Sequence, residues 1–118
     1  MQKDDAYLLD MLNAARKIRA FSADLSRESF DHSELHQYAL VRLIEIIGEA
    51  ARRVSEEGKQ SYPQIAWKQI SGMRNRIVHD YTRIDLELVW QTIQFDIPSL
   101  IVQLEPLVPP DQPDDQPQ

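Results

Sequence analysis

No cysteine occurs among the 118 residues. That excludes a disulfide framework and any thiolate metal site, and it suits a reducing compartment such as the cytoplasm. No apolar run approaches the roughly 20 residues that a bilayer-spanning helix needs. The first residues, Met1-Gln2-Lys3-Asp4-Asp5, carry acids where a secretory signal is basic and then apolar. The expectation is a soluble, cytoplasmic protein with no membrane partner. Sustained period-two alternation is missing, and so is any internal repeat. Bases are in the minority, with a formal net charge of −6, which argues against a general nucleic-acid coat protein.

The charge is unevenly placed. Residues 105–118 hold Glu105, Asp111, Asp114 and Asp115 and no base. Residues 66–83 hold Lys68, Arg74, Arg76 and Arg83 against Asp80 alone. One basic patch on a mildly acidic body fits local phosphate recognition better than wrapping of a long polyanion.

The apolar pattern is helical throughout, and the length is that of one domain. Leu8, Met11, Leu12, Ala15, Ile18 and Leu25 predict a first helix over 4–25. Ser26–Asp31, polar apart from Phe30, reads as a connection. Asp31 or Ser33 suits the N-cap of a second helix running to about Glu57, with Gly58 at C′. That helix is apolar nearly all round between Tyr38 and Ile47, broken mainly by Arg42 and Glu45, so it is the central one. Arg52 and Arg53 near its end suit the helix dipole, with RNA or a partner protein as the other reading. After a loop over Lys59–Pro63, Pro63 opens a third helical region with Ala66, Ile70, Met73 and Ile77 as its buried stripe. Gly72 marks a break or a close approach. Thr82–Asp85 is a turn, and Asp85 caps a fourth helix built on Leu86, Val89, Trp90, Ile93, Ile97, Leu100, Ile101 and Leu104. Pro98 should kink it. Five of the seven prolines lie in 106–118, which reads as a disordered acidic tail beyond a helical domain over 1–105. The fold expected is an all-α antiparallel bundle of four main helices.

The chemistry concentrates in Arg74-Asn75-Arg76-Ile77-Val78-His79-Asp80-Tyr81, expected at a helix end. An arginine holds a phosphate through its guanidinium fork, and a histidine moves a proton near neutral pH. Together they point to chemistry on a phosphodiester; the competing reading is an exposed helix end with cations set against the dipole. On a straight helix, residues five apart sit about 140° apart around the axis, so Arg74 and His79 do not share a face. A distorted helix end, a long reach by the arginine, or a two-fold dimer that brings two copies of the motif together would each answer this; the dimer is favoured. His32 and His36 share a helix face, but a polar helix start accounts for them. Trp67 and Trp90 fit the core better than a base-stacking platform.

Arg74, four residues, His79, one residue and Tyr81 form an R-x4-H-x-Y arrangement, which resembles the HEPN superfamily and specifically the HepT-like toxins. Ile46-Ile47-Gly48-Glu49-Ala50-Ala51, Ile65-Ala66-Trp67, Gly72-Met73-Arg74-Asn75, His79-Asp80-Tyr81 and Val89-Trp90 followed by Asp96-Ile97-Pro98 fall in that family's order. The resemblance implies the toxin of a toxin–antitoxin pair, a two-fold homodimer that cleaves RNA without a metal or other cofactor. It assigns Arg74 and His79 as the catalytic pair, with Asn75 and Arg76 in support. It implies an MNT-like nucleotidyltransferase antitoxin that adenylylates Tyr81. The residues agree with a metal-independent ribonuclease: His79 to accept or donate a proton, Arg74 to steady charge on the crowded phosphate. The other class is a non-catalytic helical module that docks a nucleotidyltransferase. Toxicity of this chain expressed alone separates the two.

Overall fold

Four long helical segments fold against one another, tied by two short helices and a two-stranded ribbon. The computed structural model describes residues 2–80 and 82–109. Helix α1 (Gln2–Ser22) carries Asp4 and Asp5 in its first turn and Arg19 in its last, the order the dipole favours. It buries Leu8, Met11, Leu12, Ala15 and Ile18. It stops short of Leu25, the Ser22 hydroxyl donating to the Ile18 carbonyl in its last turn. The stretch expected as a connection is itself a helix, α2 (Arg27–Asp31), capped by Ser26. Its one apolar residue, Phe30, is fully buried and packs on Trp90 with ring centroids 5.4 Å apart.

Helix α3 (Glu34–Arg53) is the central element. Ser33 caps it, its hydroxyl accepting from the His36 N–H. Leu40, Val41, Leu43, Ile44, Ile47, Ala50 and Ala51 are all buried, so it is covered on most of its circumference, chiefly by α1 and by α5 (Trp67–Ile77). It ends at Arg53 rather than near Glu57. There the chain turns extended at Val54, and Ser55 caps a separate short helix, α4 (Glu56–Ser61). The cause is Asp4, whose carboxylate accepts from the Ser55 N–H at 3.0 Å and the Ser55 hydroxyl at 2.6 Å. Those bonds hold the Asp4 carboxyl below its ordinary range, the hydroxyl more than the amide. Gly58 is therefore not a C′ residue. Its N–H donates to Ser55 Oγ within α4, and a Cβ there would lie 2.5 Å from Asp4 Oδ2.

Helix α5 starts at Trp67, not at Pro63, and the buried position before it is Ile65 rather than Ala66, which is exposed. The Trp67 indole N–H donates to the Tyr62 carbonyl. Ile70, Met73 and Ile77 form the buried stripe as expected. The helix runs unbroken through Gly72. The close approach belongs to Gly48 on α3, where a Cβ would stand 3.2 Å from the Ile70 carbonyl oxygen.

Past Ile77 the chain becomes extended. Strand β1 (Val78–Asp80) pairs antiparallel with β2 (Arg83–Ile84), Val78 opposite Ile84 and Asp80 opposite Arg83. Helix α6 (Leu86–Gln91), a π-helical turn (Thr92–Asp96) and α7 (Ile97–Leu104) make one continuous rod. The expected kink at Pro98 is not what accommodates the proline: Pro98 sits in the first turn of α7, directly after the π-turn. The packed chain continues past 105: Glu105–Leu107 form a 3₁₀ turn and Val108 is buried. Residues 110–118 of the expected tail lie outside the described residues. The architecture is the all-α bundle expected, with the short ribbon added.

Candidate active site

The eight-residue motif straddles the end of α5, and its side chains leave in different directions. Arg74 and Arg76 both belong to the last turn, but two residues apart on a helix is about 200° of rotation. Arg74 turns toward α3, where its Nε donates to Glu45 Oε2 at 3.2 Å. Arg42 Nη1 donates to the other oxygen of the same carboxylate at 3.4 Å. Arg52 lies one turn beyond Gly48 and donates to Glu49 at 2.9 Å and to the Ser71 carbonyl at 2.7 Å. Arg42, Arg52 and Arg74 thus surround one hollow between α3 and α5. Arg76 points the other way, into a cleft against Asp96, Ile97 and Leu100. Asn75 is exposed between them. The basic patch of the sequence is therefore split over several surfaces; Arg83 is taken by Asp80 at 3.0 Å.

His79 is not on the helix. Three residues of β1 stand opposite two of β2, with the register slipping between Val78 and Asp80, so His79 occupies a bulge. A bulge re-aims a side chain, and the His79 ring is 51% exposed. Its Nε2 is 4.0 Å from Asp85 Oδ2, too far for a hydrogen bond. Asp85 meanwhile caps α6, its Oδ1 accepting from the Leu88 N–H at 3.0 Å. Its backbone N–H donates to the Ile77 carbonyl at 2.8 Å, which closes the ribbon onto the end of α5. Asp80 fastens the turn: Oδ1 accepts from the Thr82 N–H and hydroxyl, and Oδ2 from Arg83. The Thr82 amide, then the Arg83 guanidinium, holds the Asp80 carboxyl below its ordinary range.

Arg74 and His79 thus border different hollows of one chain. The open groove beside His79 is walled by Glu34, Tyr38, Arg83 and Asp85. The straight-helix premise for relating the pair fails, because the helix ends at Ile77 and His79 stands in a strand. Tyr81 lies outside the described residues. His32 and His36 have local partners, the Glu28 carbonyl at 2.9 Å and the Ser33 hydroxyl at 2.7 Å. Two residues that the structure sets beside His79 and Arg74 are not singled out by the sequence. Asp85 reads there as a cap alone. Glu45 was visible only as one of two charges, three apart, interrupting an apolar helix; that interruption was the available signal.

Comparisons with known proteins agree on one family. The family described as ribonuclease HepT-like matches residues 11–107. A protein of Methanocaldococcus jannaschii whose name provisionally assigns it as an RNase is 34% identical over 107 residues, covering 89% of this chain and 98% of that protein. A protein of Thermococcus cleftensis, named provisionally as ribonuclease HepT, is 35% identical over 101 residues, 86% of this chain and 92% of its own length. A provisionally named RNase of Caldanaerobacter subterraneus subsp. tengcongensis is 33% identical over 84 residues, 71% of this chain and 75% of its own. No solved structure matches.

Proposed function

Since the chain belongs to the ribonuclease HepT-like family and is by that membership an endoribonuclease, we propose that it cleaves RNA without a metal through Arg74 and His79, as the toxin of a toxin–antitoxin pair. In this reading the RNA 2′-oxygen attacks the adjacent phosphorus and the bond to the 5′-oxygen breaks. The products are a 2′,3′-cyclic phosphate and a 5′-hydroxyl. One group must take the 2′-hydroxyl proton and another must deliver a proton to the departing oxygen. His79 does one of these. Arg74 binds the non-bridging oxygens, where negative charge grows. Asn75 and Arg76 assist in holding the strand.

The observation that carries this reading is the bulged ribbon, which leaves His79 exposed with its ring free of hydrogen bonds among the described residues. The separation of Arg74 and His79 into two hollows supports a two-fold homodimer, in which the motif of one copy faces that of the other and a second histidine supplies the second proton transfer. Tyr38, 51% exposed in the groove beside His79, and Leu35 one turn earlier on α3, 79% exposed, support a covered face there. For control, a cytoplasmic nucleotidyltransferase antitoxin transfers AMP to Tyr81. The phenol oxygen attacks the α-phosphorus of ATP, pyrophosphate leaves and the phenolic proton is released. The added phosphate then competes with RNA for Arg74 and Arg76.

The test is cleavage of total RNA by purified protein, with the ends mapped. His79→Ala should lower the rate by about a hundredfold or more while helical content stays unchanged, Arg74→Ala should do nearly the same, and EDTA should have no effect. Cleavage that survives His79→Ala, or that stops with EDTA, contradicts the mechanism.

A further inference from the structure

We infer that Glu45 is a positioning residue for Arg74, orienting its guanidinium for the scissile phosphate; this rests on the proposed role of Arg74 in RNA cleavage. The contact is made from one side only. Nε donates to Glu45 Oε2, and among the described residues no partner holds Nη1 or Nη2. A guanidinium gripped at Nε keeps its outer fork open, and that fork matches a phosphate in geometry. A free arginine would have to freeze its long side chain at the moment of binding; one already held avoids most of that loss.

The support is built into the bundle. Glu45 stands on the central helix between buried Ile44 and Ile47, its side chain 30% exposed against 47% for Arg74. Its two oxygens serve two different arginines, Oε1 taking Arg42 and Oε2 taking Arg74. A carboxylate shared by two guanidinium groups orients Arg74 without cancelling its charge. The spacing of α3 and α5 is fixed next to this contact, by Gly48 lying against the Ile70 carbonyl and by Arg52 donating to the Ser71 carbonyl. An ordinary surface ion pair would contribute little to stability or rate. Orientation of the reacting geometry makes a different claim, because it acts on turnover.

The experiment uses the full chain and a synthetic mixed-sequence RNA carrying a fluorophore and a quencher. Glu45→Ala should lower kcat about tenfold with KM changed by less than about twofold. Glu45→Gln keeps an oxygen for the Nε–H and should recover at least half of the parent kcat. In ¹⁵N spectra the Arg74 Nε–H resonance should be shielded from exchange in the parent, retained in Glu45→Gln and lost in Glu45→Ala. An unchanged kcat in Glu45→Ala overturns the inference, as does a loss confined to KM. A faster enzyme that binds RNA more tightly overturns it too, since the carboxylate is then a competitor of the phosphate. A folded Glu45→Gln protein as slow as Glu45→Ala also counts against it. If the parent itself leaves RNA intact, the ribonuclease reading fails, and the Nε–H resonance still decides whether Glu45 holds Arg74.

Discussion

Gly58→Ala should destabilise the protein, although alanine in a helix is ordinarily favoured over glycine by about 1 kcal/mol. Gly58 lies inside α4, and no described glycine has positive φ, so backbone conformation gives no reason for a cost. Space does. A Cβ at 58 would stand 2.5 Å from Asp4 Oδ2, 3.0 Å from Val54 Cγ1 and 3.2 Å from Ser55 Oγ. Asp4 cannot retreat without weakening its bonds to the Ser55 N–H and hydroxyl, and hydrogen bonds to a charged group are worth about 1.5–3 kcal/mol each. Losing one or both, less the helix gain, leaves a net cost of about 0.5–5 kcal/mol. For a domain of this size that lowers Tm by about 4 °C per kcal/mol. Urea denaturation of the parent, Gly58→Ala, Asp4→Ala and the double variant closes a cycle. Removing Asp4 should shrink the cost of the added methyl by more than half. If Gly58→Ala costs the same with and without Asp4, the clash with Asp4 is not the cause, and the reasoning from the Asp4–Ser55 bonds is refuted.

Asp4 also sets a pH dependence. Its folded carboxyl lies below the ordinary value of 3.8, so its contribution is complete above that value and is lost as pH falls through the folded value. Asp4→Asn should therefore lose less stability than the parent on acidification below about pH 4, read from denaturation midpoints. Phe30→Ala should cost about 3–5 kcal/mol, since a fully buried ring against Trp90 is removed; a cost under about 1 kcal/mol would mean that α2 is not part of the core. Tyr81→Phe removes the phenol oxygen and keeps the ring, so RNA cleavage should largely persist while co-expressed antitoxin fails to neutralise it and mass spectrometry finds no adenylyl adduct. Neutralisation equal to the parent would show that Tyr81 is not the switch.

The helical class, the central place of α3, the cap at Asp85 and, as one of two candidates with Asp31, the cap at Ser33 were legible in the sequence, because apolar spacing and cap chemistry act over a few residues. The R-x4-H-x-Y motif was legible for the same reason, as a local string. Helix ends were less so. α3 stops at Arg53 because Asp4, 51 residues away, takes both donors of Ser55, and nothing near Val54 announces that. The run from Val78 to Ile84 is too short to display a strand period, and its pairing is fastened by bonds from Asp80 and Asp85 around the turn. Whether Arg74 and His79 share a surface was beyond any local rule. A helix ending two residues before the histidine sends them into separate hollows, and only the packing of α5 on α3 gives Arg74 its Glu45. Local periodicity determines which elements form; where they stop and what their ends touch is decided by groups distant in the chain, which folding alone brings together.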